Sequence, residues 1–158
     1  MRRIGITGGI GSGKSVVSRL LRIMGYSVYD TDSEAKRLME SSLEVVQKLS
    51  ECFGRDIYHN GRLNRGLLSS RVFGKSDKIV LLNSIVHPVV RFDFYRWSES
   101  LNEEICFVES AILYESRFDE LVDEVWTVTA PEELRISRVR QRSGLTEEEI
   151  KKRMAAQL

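Results

Sequence analysis

The first third of the chain alternates short apolar runs with stretches of helical periodicity. Residues 3–7 form a strand-like run, which is followed by a glycine-rich turn and then by an amphipathic helix pattern. We expect the apolar side of that helix to contain Val16, Val17, Leu20, Leu21 and Met24. Residues 27–30 predict a second short strand, and helix patterns follow near Ser33 and over 43–49.

The middle and last parts of the chain continue the alternation. Residues 53–61 predict a loop that ends in a tight Asn60-Gly61 turn. A long helical region follows and is expected to break near His87-Pro88, because proline removes a helical hydrogen bond. Residues 105–109 and 125–129 predict two more strands. Pro131 predicts the start of one helix, and the capping box at 146–149 predicts the start of another.

This order predicts an α/β fold built on a mainly parallel sheet with helices on both faces, in three α/β/α layers. In such sheets, ligands bind at the carboxyl ends of the strands. The glycine-rich loop, Asp30 with Asp32, and Glu109 each follow or end a predicted strand. Three separate segments are therefore expected to bring polar groups to one edge of the sheet.

The loop at 8–15 fits the phosphate-binding P-loop pattern G-x-x-x-x-G-K-[ST] at every fixed position. Glycines let the backbone approach an anion, successive N–H groups bind it, and the following helix adds its positive end. Lys14 is expected to reach the β- and γ-phosphates, and Ser15 to ligate Mg²⁺. The expected nucleotide-binding residues are Gly8, Gly9, Gly11, Ser12, Gly13, Lys14, Ser15 and Val16. The alternative is a glycine-rich turn without a ligand.

Composition narrows the function classes only slightly. The 158 residues are 42% hydrophobic and 30% charged, which suits one globular domain. A net charge of +1 gives no argument for nucleic acid or membrane partners, and no apolar run approaches a membrane span. Cys52 and Cys106 lack metal-type spacing, so we expect two reduced, buried thiols in a cytoplasmic protein. We also expect no obligate protein partner.

P-loop proteins include switches, motors and small-molecule kinases. The chain contains neither the N-K-x-D nor the D-x-x-G motif that a GTPase switch needs, and it is short for a motor. Its length and its large helical insertion favour a small-molecule kinase, in which catalysis is mostly positioning and charge neutralisation.

A more specific resemblance runs along the whole chain. TGGIGSGKS followed by YDTD resembles the dephospho-coenzyme A kinase family, as do NGRLNR at 60–65 and LNSIVHP at 82–88. Arg138, Arg142, Arg153 and Ala156-Gln157 are similar to the arginine-rich lid region of that family. The resemblance implies a P-loop NTPase-type fold with a helical substrate-binding insertion and a helical lid. It also implies that ATP phosphorylates the ribose 3′-hydroxyl of dephospho-coenzyme A, a small-molecule substrate.

The resemblance also implies residue roles. Asp32 would orient or deprotonate the acceptor hydroxyl, and Lys14, Arg138 and Arg142 would complete the catalytic set, with Gly144 as a hinge. The expected substrate-side residues are Asp30, Asp32, Arg65, His87, Arg91 and Glu109. Simpler roles stay open: the aspartates as helix-start acids, His87 as a helix-end histidine, and the lid arginines as a solvated face. Glu109, which replaces the aspartate usual in the family, acts on Mg²⁺ through water or bonds the P-loop backbone.

We expect one kinase domain with a core over 1–33 and 104–132, an insertion over 34–103 and a lid over 133–158. Family members continue into a further strand beside the P-loop strand and a final helix. We therefore expect a truncated or incompletely represented chain. If the protein ends at Leu158, we expect an exposed sheet edge, weak ATP binding and a tendency to aggregate. The rival functions are another small-molecule kinase and a non-catalytic nucleotide-binding protein.

Overall fold

The computed structural model describes residues 1–155, and Ala156-Gln157 of the predicted lid region lie outside them. The strands are β1 (Arg2–Thr7), β2 (Val28–Asp30), β3 (Tyr58–His59), β4 (Arg62–Leu63), β5 (Ile105–Glu109) and β6 (Glu124–Thr127). The α-helices are α1 (Lys14–Ile23), α2 (Thr31–Ser41), α3 (Leu43–Phe53), α4 (Arg65–Val72), α5 (Ser76–Ser100), α6 (Glu132–Ser143) and α7 (Glu147–Ala155). Short 3₁₀ turns lie at Arg55–Ile57 and Phe118–Leu121.

The chain divides into two compact units. The first contains Met1–Asp30 and Ser100–Leu158, and the second contains Thr31–Glu99. The predicted boundaries of core, insertion and lid stay a prediction. None of the helices within residues 1–155 is both long and apolar enough to cross a membrane.

The first unit is built on a parallel four-stranded sheet in the order β2-β5-β1-β6. Ile4 and Ile6 of β1 form a buried cluster with Phe107 of β5 and Leu21 of α1, so α1 packs on this face of the sheet. The predicted α/β class with a parallel sheet is confirmed. The expectation that a further strand lies beside the P-loop strand is wrong, because β5 and β6 already pair with both edges of β1.

Helix α1 buries only part of the predicted side: Leu21 is buried and Val17 packs against the same cluster. Val16, Leu20 and Met24 are 62%, 55% and 69% exposed, whereas Ser18 and Leu21 are buried. The apolar residues do form one face of this helix, but that face is wider than the surface that packs on the sheet, so only its Val17 and Leu21 edge is covered. Ser18, three residues before Leu21, is buried as well.

The second unit contains two departures from the predicted elements. The 53–61 segment contains the first strand of a small antiparallel hairpin, β3-β4, whose Asn60-Gly61 turn has the positive φ angles of a type I′ turn. Helix α5 does not break at His87-Pro88, because it continues through Pro88 to Ser100. Buried residues on both sides of the proline, including Val86 and Val90, keep the helix continuous through packing.

Candidate active site

The loop between β1 and α1 has a backbone that only glycine permits at several positions. Gly8, Gly11 and Gly13 have φ angles of 145°, 77° and 109°. A side chain on Gly8 would also overlap the carbonyl oxygen of Val128, which follows β6. The loop is therefore held against the end of the neighbouring strand.

Lys14, the first residue of α1, turns back over the loop that precedes it. Its Nζ atom donates hydrogen bonds to the carbonyl oxygens of Gly8, at 2.5 Å, and Gly9, at 3.5 Å. Because a lysine ammonium has three donors, it can hold these carbonyls and still reach an incoming anion. Its position beside the loop agrees with the phosphate contact expected of it.

Helix α6 holds the next three carbonyls of the loop. Arg135 donates from Nε to the carbonyl oxygen of Ile10 at 3.0 Å. Arg138 donates from Nη1 to the carbonyl oxygens of Gly11 and Ser12, both at 3.2 Å. A trans peptide group points its carbonyl and its N–H in opposite directions. The bound carbonyls therefore turn the N–H groups that follow them away from α6.

The start of α1 is suited to an anion. Gly13 is its N-cap in a left-handed conformation and supplies no side-chain cap, and the first turn contains no acidic residue. The backbone N–H groups of Val16 and Val17 both donate to the Gly13 carbonyl, at 3.0 and 3.2 Å. The positive end of the helix is thus not neutralised by a carboxylate of its own first turn.

Two acids lie beside the loop at the carboxyl ends of adjacent strands. Asp30 of β2 and Glu109 of β5 are register partners and both are half-buried. The Ser15 hydroxyl donates to Oε1 of Glu109 at 3.2 Å. Glu109 therefore contacts the serine side chain that is expected to ligate Mg²⁺.

The other predicted substrate residues belong to the second unit. Asp32 is an exposed acid in the first turn of α2, and Arg65 forms an ion pair with Glu40 at 3.4 Å. His87 and Arg91 lie one turn apart on α5. Burial lowers the pKa of His87 below its usual value, and the charge of Arg91 lowers it further.

The two predicted lid arginines have different surroundings. Arg138 contacts the loop, whereas Arg142, in the last turn of α6, is exposed and makes no side-chain hydrogen bond or ion pair with any residue in the range 1–155. Arg135 was not among the predicted site residues. Its spacing of three residues from Arg138, which places both on one face of α6, was the available signal.

The chain matches the family model described as "Dephospho-CoA kinase" over residues 2–158. The dephospho-CoA kinase of Porphyromonas gingivalis is 46% identical over 157 residues, which cover 99% of this chain and 78% of that protein. The crystal structure of TT1252 from Thermus thermophilus superposes with a TM-score of 0.83 at 38% identity, covering 99% of this chain and 80% of the other. A dephospho-CoA kinase structure from Campylobacter jejuni has the same fold, with a TM-score of 0.71 at 24% identity over 99% of this chain and 81% of the other. The chain belongs to the dephospho-CoA kinase family.

Proposed function

We propose that this protein transfers the γ-phosphoryl group of ATP to the ribose 3′-hydroxyl of dephospho-coenzyme A, giving coenzyme A and ADP. Family membership supports both the reaction and ATP as the donor. The observation that carries the proposal is the loop at 8–15, whose carbonyls are bound by Lys14, Arg135 and Arg138. Holding these carbonyls turns the N–H groups that follow them to the side away from α6, and we place the phosphates of ATP on that side.

The loop, Lys14 and the start of α1 bind the β- and γ-phosphates. Lys14 adds a positive charge next to the transferred group, and charge neutralisation of this kind is the main contribution that a protein makes to phosphoryl transfer. Arg138 is exposed at the rim of the loop, and Arg142 lies one turn further along α6. Both act as phosphate-contacting arginines on the lid side.

Mg²⁺ fits the side chains beside the loop. The Ser15 hydroxyl would be a ligand, and Glu109 and Asp30 would accept hydrogen bonds from the ion's waters. Mg²⁺ would neutralise phosphate charge when bound. Glu109 accepts a hydrogen bond from the Ser15 hydroxyl. This bond orients the hydroxyl and so fixes the direction in which the lone pairs of Ser15 Oγ point.

Asp32 serves as the acceptor-side carboxylate, which orients or deprotonates the 3′-hydroxyl. Arg65, His87 and Arg91 bind the acceptor. The lowered pKa of His87 keeps its imidazole neutral near pH 7, so this residue contributes a hydrogen bond rather than a charge. Small-molecule binding follows from the family, and a cytoplasmic location without nucleic acid or protein partners stays a prediction.

The test is ADP release with Mg²⁺-ATP and dephospho-coenzyme A, compared with AMP, UMP and pantetheine phosphate as acceptors. We expect turnover with dephospho-coenzyme A only, and its loss in Lys14→Ala and Asp32→Asn. The control is Asp77→Asn, which also removes an acid from the first turn of an exposed helix start but should keep full activity.

Each result points to one conclusion. If Asp32→Asn behaves like Asp77→Asn, Asp32 is a helix-start acid and not the acceptor-side carboxylate. Preferred turnover with another acceptor would indicate a different small-molecule kinase. Nucleotide binding that needs Lys14, without turnover of any acceptor, would indicate a non-catalytic nucleotide-binding protein.

A further inference from the structure

Arg135 lies directly against the phosphate loop. Its Nε donates to the Ile10 carbonyl at 3.0 Å, and its terminal guanidinium nitrogens pack on Gly9 so closely that a Cβ there would overlap Nη2. The residue is half-buried, unlike the exposed Arg138. Its side chain is therefore more enclosed by protein than that of Arg138, although both arginines reach the loop from α6.

The backbone and the apolar side chains of α6 reinforce this contact. A Cβ on Gly11 would lie 2.6 Å from the carbonyl oxygen of Arg135 and 3.0 Å from Cγ2 of Val139. The Ile10 side chain packs against the α6-α7 cluster of Ile136, Val139 and Ile150. Loop and helix thus meet through a hydrogen bond, a close backbone approach and an apolar contact.

We propose that Arg135 is a positioning residue that fixes the phosphate loop to α6 in the conformation that binds ATP. By holding the Ile10 carbonyl, it turns the following N–H, that of Gly11, to the opposite side of the peptide plane. A loop fixed before ligand arrives loses less conformational freedom on binding, and this strengthens binding. The inference deepens the proposed function and rests on it, since it assumes that the loop binds the phosphates of ATP.

The proposal separates Arg135 from Arg138. Arg135 supports the nucleotide in the ground state and in the transition state alike, so its loss should raise the KM for ATP and leave kcat unchanged. Arg138 is expected to contact the transferring phosphate, so its loss should lower kcat as well. A variant that was merely less stable would lower the active fraction and the melting temperature without changing KM.

The experiment measures the KM for ATP, kcat, the KM for dephospho-coenzyme A, and ADP affinity by calorimetry in Arg135→Ala. We expect the KM for ATP and the Kd for ADP to rise about tenfold, from loss of one charge-assisted hydrogen bond, with kcat within about twofold. Arg135→Lys, which keeps one charged donor group, should recover part of the affinity. Arg140→Ala, on the same helix but at an exposed position, is the control and should change nothing.

A second variant tests the contact without removing the arginine. Gly9→Ala should displace the guanidinium and raise the Kd for ADP as Arg135→Ala does. Combined, the two substitutions should weaken binding no more than Arg135→Ala alone, because both remove the same contact. Unchanged ADP affinity in Arg135→Ala, or fully additive effects with Gly9→Ala, would overturn the proposal. Absence of wild-type turnover, with ADP affinity still dependent on Arg135, would contradict the proposed reaction only.

Discussion

Gly11→Ala is the substitution that most directly tests how the loop meets α6. The residue has a φ of 77°, where an L side chain costs about 1 kcal/mol, the low end of the left-handed penalty. Its Cβ would also lie 2.6 Å from a backbone oxygen of α6, which cannot rotate away, and overpacking of this kind costs about 2 kcal/mol. We therefore expect Gly11→Ala to lower the free energy of unfolding by about 3 kcal/mol, which corresponds to about 9 °C in melting temperature at this chain length.

Gly74→Ala is the matched control, because it introduces the backbone strain without a steric contact. Gly74 has a φ of 73°, and a Cβ there would meet nothing within 4 Å. The control variant should lose only about 1 kcal/mol of unfolding free energy, or about 3 °C in melting temperature. The stabilisation that alanine gives by restricting the unfolded chain applies to both variants, so it cancels in their difference.

The assay is thermal and urea unfolding followed by circular dichroism, with ADP titration of each variant. The close approach predicts a stability difference of about 2 kcal/mol between the two variants and weaker ADP binding only in Gly11→Ala. Equal losses of stability would show that α6 does not press on the loop backbone, and the argument for Arg135 would lose its support.

Three further results are expected. Ser18→Ala should raise the free energy of unfolding by about 1 kcal/mol, because the buried Ser18 hydroxyl has no hydrogen-bond partner within residues 1–155. Ser116→Ala, which removes a hydrogen-bonded hydroxyl, should lower the free energy of unfolding when measured in the same thermal and urea unfolding experiments. Because the folded-state pKa of His87 lies below 6.5, the unfolded chain takes up the proton first, and stability should fall as pH falls through 6.5. His87→Asn should remove that component of the pH dependence, and an unchanged profile would contradict it. The prediction that both thiols are buried is wrong for Cys52, which is exposed and should react with a thiol reagent at once. Cys106, whose pKa is raised by burial, should react only after unfolding, and two equally fast thiols would contradict its burial.

Local sequence determined what could be predicted, and distant packing determined what could not. The phosphate loop is one contiguous segment, and its lysine bonds a carbonyl of the same segment. The local sequence pattern was therefore sufficient to predict the loop. The Thr146–Glu149 capping box was predicted and is present for the same reason. Arg135 bonds a carbonyl 125 residues away, so its spacing from Arg138 indicated a shared helix face but not this contact.

The two helix predictions that were wrong in whole or in part have a similar origin. The buried stripe of α1 depends on the sheet beneath it, and Ser18, not an apolar residue, occupies part of that stripe. Pro88 removes one hydrogen bond from α5, but buried residues on either side, such as Ile85 and Phe94, hold the helix together. In both cases tertiary contacts overrode a sound local preference.

The position of β1 in the sheet has a consequence for the time at which the loop can form. Arg2 pairs with Ile105 and Ile4 with Glu124. Strand β1, which precedes the loop, therefore cannot pair until residues about a hundred positions later have been synthesised. The order of synthesis therefore places Thr31–Glu99, a contiguous segment with its own contacts, ahead of the nucleotide site. During translation, ATP is expected to protect the nascent protein from proteolysis only after β6 has left the ribosome.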